Sequence, residues 1–250
     1  VQPLAFDFYC GLGGWAEGFI PEGYRIVGFD TERHDYGTGG YPGELVLRDV
    51  RSITGAELVR EYGIPAVMVG SSPCQEFSYR AMPWKRAKAL PPPHLGIELF
   101  QAQFRIQREV CEAAGRYIPL IVENVRGAQK WVGRARWHFG SYYLWGDVPA
   151  LMPEMAAFKT QGQNWNAFKE TGKVSAHYRL QGLKPPSTRL WLDGVKQPGL
   201  SGVRTNGKGD GWFEKGAATF GSDSEKRRAA SALIAKIPLP LARHIAVCFK

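Results

Sequence analysis

Short apolar runs punctuated by glycine, proline and polar turns fill residues 1–150, and their length and rhythm sort them into elements. Leu4 to Cys10 alternates and is rich in aromatics, Tyr24 to Phe29 and Leu45 to Arg48 follow at strand length, and Ile64 to Val69 and Ile118 to Val122 are almost wholly apolar. Runs of this size and composition predict strands, the last two buried. Helical spacing separates them. Trp15 to Phe19 continues out of a glycine turn, Ile53 to Tyr62 has Thr54 near its start, and from Gly96 to Arg116 the positions Leu99, Phe100, Phe104, Ile106, Val110 and Ala113 share one face. Strands alternating with helices predict an α/β fold with a doubly wound, mostly parallel sheet.

Beyond residue 150 the rhythm fades. Residues 151–225 are dominated by Gly, Gln, Asn, Lys and Trp, as in Gln161-Gly162-Gln163-Asn164-Trp165 and Arg204-Thr205-Asn206-Gly207-Lys208-Gly209, and predict a small irregular region. Order returns in 226–250, where Ser224 to Ile237 reads as a helix, Pro238-Leu239-Pro240 breaks it, and Leu241 to Phe249 forms a last helix expected to return to the first domain. A chain of 250 residues suits one large α/β domain with such an appendage. With 44% hydrophobic and 22% charged residues it has the composition of a folded protein. The longest apolar runs are far too short to cross a bilayer, so no membrane partner is expected. Val1-Gln2-Pro3-Leu4 does not open a leader-like segment, and the expectation is a cytoplasmic protein. Cys10, Cys74, Cys111 and Cys248 are too widely spaced for a structural zinc site, so free thiols and no metal are expected.

The formal charge of +9 points to a polyanionic partner, because surface cations gain by displacing counterions from phosphates. Amides, cations and aromatics in 151–225 are the side chains that contact phosphates and read base edges. Residues 80–93, with Arg80 and Trp84, read as a mobile basic loop.

Two constellations carry chemistry. Gly11-Leu12-Gly13-Gly14 lies between the first strand and a helix, where missing side chains let a ligand approach the backbone. Asp30 ends the second strand, at the position from which a carboxylate holds ribose hydroxyls, and Asp49-Val50 follows the third, suited to an adenine amine and ring. No Gly-Lys-Ser or Gly-Lys-Thr signature follows the glycines, so the pocket favours an adenosine without a polyphosphate tail. The second constellation is Gly70-Ser71-Ser72-Pro73-Cys74-Gln75-Glu76-Phe77-Ser78, which empties from a buried strand into a proline turn, and Glu123, which ends another. A thiol and a carboxyl are thereby expected on one sheet edge.

Taken in linear order, these residues resemble the DNA cytosine-5 methyltransferases, in particular compact members from phages and prophages. Asp7-Phe8-Tyr9-Cys10-Gly11-Leu12-Gly13-Gly14 is similar to the family's S-adenosylmethionine motif, Pro73-Cys74-Gln75 with Phe77-Ser78 to its catalytic loop, Glu123-Asn124-Val125 to its Glu-Asn-Val motif, and Ile237-Pro238-Leu239-Pro240 to its last motif. The resemblance implies a catalytic and cofactor-binding domain (1–150), a target-recognition region (151–225) and methyl transfer to C5 of a flipped-out cytosine through a Cys74 adduct. It implies that Cys74 and Glu123 are catalytic, joined by Arg134 or Arg136, with Arg189 a competitor. Phe8, Tyr9, Gly11, Leu12, Gly13, Gly14, Asp30, Asp49, Val50, Ser71, Pro73 and Leu99 would bind the cofactor, and Gln75, Ser78, Arg80 and Asn124 the substrate. Double-stranded DNA is the implied partner of a monomer, with a cognate restriction endonuclease admitted by analogy. A tRNA cytosine-5 methyltransferase of the same fold and a catalytically silent nucleic-acid-binding relative are the alternatives. The sequence departs from the family's pattern after Glu123, where the arginine-bearing motif is unclear, and before Ile237, where Ala235-Lys236 stands in place of the expected Asn and small residue.

Overall fold

The computed structural model describes residues 2–37, 39–78, 89, 91–139, 142–152, 228, 232–233 and 235–250. The chain divides into two compact units, Val1–Pro153 with Pro240–Lys250, and Glu154–Leu239. Most of the second unit, with the expected recognition region, lies outside the described residues. In the first unit the described strands are β1 (Leu4–Phe8), β2 (Arg25–Asp30), β3 (Glu44–Leu47), β4 (Val67–Ser71), β5 (Leu120–Asn124), β6 (Trp137–Phe139) and β7 (Tyr142–Gly146). They form one sheet in the order β3-β2-β1-β4-β5-β7-β6. β3, β2, β1, β4 and β5 run parallel, and β7 is antiparallel to both its neighbours. This is the expected doubly wound, mostly parallel α/β sheet. The β6–β7 pair was not among the elements that the apolar pattern predicts.

The chain builds outward from β1 to β2 and β3, then returns to the other side of β1 to lay down β4 and β5. That reversal opens a crevice at the carboxyl ends of β1 and β4, where open α/β sheets bind ligands. β1 is buried at every position because it is central and covered on both faces. Phe6, Phe8, Phe29 and Met68 face α2 (Gly55–Tyr62) and α3 (His94–Ala114), with Ile53, Leu58, Ile106 and Val110 in the same core.

Local signals decide where elements begin and end. Thr54 caps α2 in a reciprocal capping box with Glu57, at the start expected from sequence. Gly115 stops α3 in the left-handed conformation, φ 67°, so the helix ends before Arg116. β4 and β5 lie two to three residues later than their apolar runs suggest. Pro65 and Pro119 explain the delay, because each lacks the N–H that a ladder position supplies. Glu123 and Asn124 thereby fall within β5, so their side chains issue from rigid strand.

The helix α1 (Gly14–Phe19) starts from Gly13, whose φ of 75° closes the turn after β1. The helix α4 (Leu239–Cys248) begins within Pro238-Leu239-Pro240, where the sequence predicts a break, because proline costs no hydrogen bond in a first turn. α4 packs against α1. The Arg243 Nε donates to Glu22 at 2.6 Å, the Tyr24 hydroxyl donates to the Ala246 carbonyl at 3.0 Å, and a methyl group on Gly18 would lie 2.5 Å from the Ala242 backbone carbon. Gly18→Ala therefore forces the two helices apart. We expect it to lower stability by roughly 1–3 kcal/mol, read from the urea unfolding midpoint.

Candidate active site

The glycine turn occupies one side of the crevice. Tyr9 follows β1 with φ 57°, a left-handed conformation that costs a non-glycine residue energy, and its hydroxyl donates to the Leu99 carbonyl on α3 at 2.9 Å. Gly11 has φ 50°, and a Cβ there would meet nothing within 4 Å, so the space beside its backbone is open. Asp30 reaches this turn from β2, accepting from the Gly11 N–H at 2.9 Å and the Thr31 N–H at 2.8 Å, with His34 Nε2 3.6 Å away. Burial opposes the Asp30 charge, but the bonds from His34, Gly11 and Thr31 overcome it and hold the carboxyl below its ordinary pKa. Beneath the turn Asp7 is fully buried. It accepts from the Tyr41 hydroxyl at 3.2 Å through Oδ2 only, and burial pushes its pKa well up.

The Cys74 loop forms the other side. Asn124, buried at the end of β5, donates to both the carbonyl and the hydroxyl of Ser72 at 3.0 Å and accepts from the Val125 N–H at 2.8 Å. This ties the approach to Cys74 to the neighbouring strand. On the far side of Cys74, the Glu76 carboxylate accepts from the Gly96 N–H at the start of α3 at 2.7 Å, and Phe77 is buried in the core. The Ser78 hydroxyl closes the turn by donating to the Cys74 carbonyl at 2.8 Å. Cys74 is thus a half-buried thiol on a loop held at both ends.

Glu123 lies in register with Ser71 across β4 and β5, and is 8% exposed. Burial raises its pKa to about 8, only partly offset by a hydrogen bond from Ser71. The Trp15 indole donates to the Ser71 hydroxyl at 3.0 Å, which links α1 to this carboxyl. Burial also raises the pKa of Cys74; Ser78 pulls it down and the charge of Glu123 pushes it up. The register of β4 and β5 sets Glu123 beside Ser71, three residues before Cys74.

Other expected residues fall elsewhere. Phe8 and Val50 are enclosed in the core, Phe8 stacked on Phe29 with centroids 5.7 Å apart, because the pattern that makes them good strand or turn residues also buries them. Neither side chain presents surface to a nucleoside. Leu12, Gly13 and Gly14 are buried within the turn. Asp49 is gripped by Arg51, with Nη2 2.7 Å from Oδ2, and the pair lowers its pKa. Asn124, expected at the substrate, has its amide committed to Ser72 and positions the loop instead. Pro73 and Gln75 are exposed beside Cys74, and Leu99 is half-buried. Arg134 and Arg136 are exposed and approach β6, which is separated from β5 by β7, roughly 10 Å away at ordinary strand spacing. Arg80 and Arg189 lie outside the described residues. Residues that sequence reasoning missed are Trp15, Tyr41, Ser72 and Glu76, whose partners are distant in sequence; only the Trp placed directly after the glycines hinted at its role.

No protein-family model matches the chain. No curated protein matches it either. Among solved structures it is similar to a DNA modification methyltransferase encoded within a prophage of E. coli, at 19% identity over 52% of this chain and 35% of that one, with a TM-score of 0.39. It is similar to the methyltransferase EhMeth of Entamoeba histolytica at 15% identity over 53% of this chain and 41% of that one, TM-score 0.36. A triple mutant of Spodoptera frugiperda DNMT2 matches at 15% identity over 52% and 38% of the respective chains, TM-score 0.35. The match spans well under half the length of each of these proteins. At these scores the α/β architecture rests on the sheet itself.

Two expectations follow for the pair. Glu123 is protonated in the folded protein at pH values where the unfolded chain has lost that proton, so its contribution to stability is full below about 4.5 and is lost as pH rises towards about 8. Glu123→Gln therefore flattens the fall of the unfolding free energy between pH 5 and 8. Alkylation of Cys74, followed by peptide mass spectrometry to separate it from Cys248, should rise only at alkaline pH, and Glu123→Gln should move that rise to lower pH by removing the opposing charge.

Proposed function

We propose that this chain is an S-adenosylmethionine-dependent methyltransferase that modifies C5 of a cytosine turned out of double-stranded DNA. The observation that carries this reading is the coupled pair of Cys74 and a protonated Glu123 on adjacent strand ends of the crevice. C5 of cytosine is a poor nucleophile until a group adds at C6, and a thiolate suits that addition because it attacks readily and leaves readily. Cys74 is the group in reach. Glu123, holding its proton to about pH 8, donates to N3 and accepts from the exocyclic amine, which offsets the charge that grows on the ring as sulfur adds. Once C5 has gained the methyl group, its proton passes to water and the Cys74 sulfur departs as thiolate, which restores the aromatic ring. A base inside a stacked duplex cannot meet both groups, so it must swing out.

The cofactor side fits as well. Gly11 leaves its backbone open, and Asp30 carries a depressed pKa suited to accepting from ribose hydroxyls, while the turn lacks a phosphate-binding signature. These two residues would hold the nucleoside, and S-adenosylmethionine when bound supplies an electrophilic methyl group on a sulfonium sulfur. Asp49, whose two oxygens both accept from Arg51, would have to give up one of those bonds to accept from an adenine amine.

Duplex DNA carrying 5-fluorocytosine tests the reading, because fluorine cannot leave C5 as a proton does. With S-adenosylmethionine present, wild-type protein should form a covalent adduct on denaturing gels. Cys74→Ser should form none while still binding the cofactor, and Glu123→Gln should slow adduct formation on the order of 10²-fold or more. An undiminished adduct with Cys74→Ser sinks the assignment, and adduct formation with tRNA but not with DNA moves the substrate to RNA.

A further inference from the structure

Between Glu123 and Asp147 the chain has no carboxylate, yet it carries Arg126, Lys130, Arg134 and Arg136. All four are exposed. Among the described residues none of the three arginine side chains has an ion pair, and Lys130 contacts only the Trp131 ring, 4.4 Å from its centroid. The carboxyls that bound the segment cannot neutralise it: Glu123 is buried and protonated, and Asp147 is occupied by the Tyr117 hydroxyl, the Leu120 N–H and Gln107.

The backbone beneath these cations is fixed. Gln129 donates to the Arg126 carbonyl at 3.5 Å and accepts from the Ala135 N–H at 3.2 Å, so one side chain clips both ends of the segment together. The Trp145 indole donates to the Gly133 carbonyl at 2.9 Å, and the Arg136 N–H donates to the Leu144 carbonyl at 2.8 Å. Four cations on a clipped scaffold repel one another and find no carboxylate partner among the described residues. Their placement is also informative. Arg126 stands two residues past the end of β5, at the sheet edge that carries Cys74 and Glu123, and Arg136 lies one residue before Trp137, which is level with Glu123 across β7.

We infer that Arg126, Lys130, Arg134 and Arg136 form a rigid strip that binds the phosphodiester backbone of duplex DNA beside the reacting base. This deepens the function proposed above and rests on it for the choice of duplex DNA as the polyanion. It also gives Arg134 and Arg136 a different task from the base-contacting one that the family resemblance implies: β7 stands between their strand and Glu123. Exposed arginines on a fixed backbone suit this task, since each replaces a condensed counterion without first ordering a loop.

Affinity for a cytosine-containing duplex, measured by fluorescence anisotropy over a range of KCl concentrations, tests the strip. Each of Arg126→Gln, Lys130→Gln, Arg134→Gln and Arg136→Gln should reduce the slope of log affinity against log salt by about one, and the fourfold variant by about four. Arg134→Lys and Arg136→Lys should restore the slope, and S-adenosylmethionine affinity should stay at the wild-type level in all of them, which excludes misfolding. An unchanged slope in the fourfold variant overturns the proposal. So does a variant that binds DNA normally but forms the 5-fluorocytosine adduct more slowly at saturating DNA, the signature of an arginine acting on the base. A slope that changes only with tRNA overturns it as well. Wild-type protein that binds duplex DNA through these cations yet forms no adduct upholds the strip and sinks the methyltransferase reading, so the two failures are distinguishable.

Discussion

Two hydrogen bonds from the Asn124 amide to Ser72 hold this site together. Without them Cys74 would sit on a loop free to drift from β5, and Glu123 would face whatever the loop left behind. With them, the strand that bears the carboxyl also fixes the approach to the thiol. The bond is buried and charge-neutral, so salt does not screen it and pH does not switch it. Everything said of Cys74 and Glu123 as a pair depends on that tie, and the grip of Glu76 on the start of α3 and the burial of Phe77 complete it from the other side.

The pair has a coherent electrostatic logic. Burial keeps Glu123 protonated up to about pH 8, and in that state it carries no charge to oppose ionisation of Cys74. The same desolvation that makes the carboxyl a proton donor thus removes an obstacle to the thiolate. On the opposite side of the crevice Asp30 is driven the other way, because three donors converge on it. Two carboxyls on one sheet edge therefore hold opposite protonation states at neutral pH, which is what separate roles as proton donor and hydroxyl acceptor require.

The fold was legible in the sequence because its strands are short, apolar and separated by helices with clear stripes, and because Thr54 and Gly13 mark turns whose physics is local. The β6–β7 pair was not legible. Trp137 to Gly146 is aromatic and interrupted by Gly140-Ser141, and nothing within it says that β7 inserts antiparallel beside β5. Cys74 and Glu123 stood out by residue type at strand ends. Asn124, Ser71 and Trp15 acquire their roles from partners 52 to 56 residues away, a relation that periodicity does not encode. Arg134 and Arg136 drew notice through the family resemblance, and only the strand order shows that β7 stands between their strand and the carboxyl. Phe8 and Val50 illustrate the converse, since apolar residues beside a ligand turn serve the core as readily as the ligand.

The raised pKa of Cys74 has a bearing on how the protein withstands oxidation. Peroxide and other electrophiles attack thiolates, and a thiol reluctant to ionise is oxidised slowly. The chain therefore carries this sulfur in a dormant form, shielded by the same burial that holds its loop.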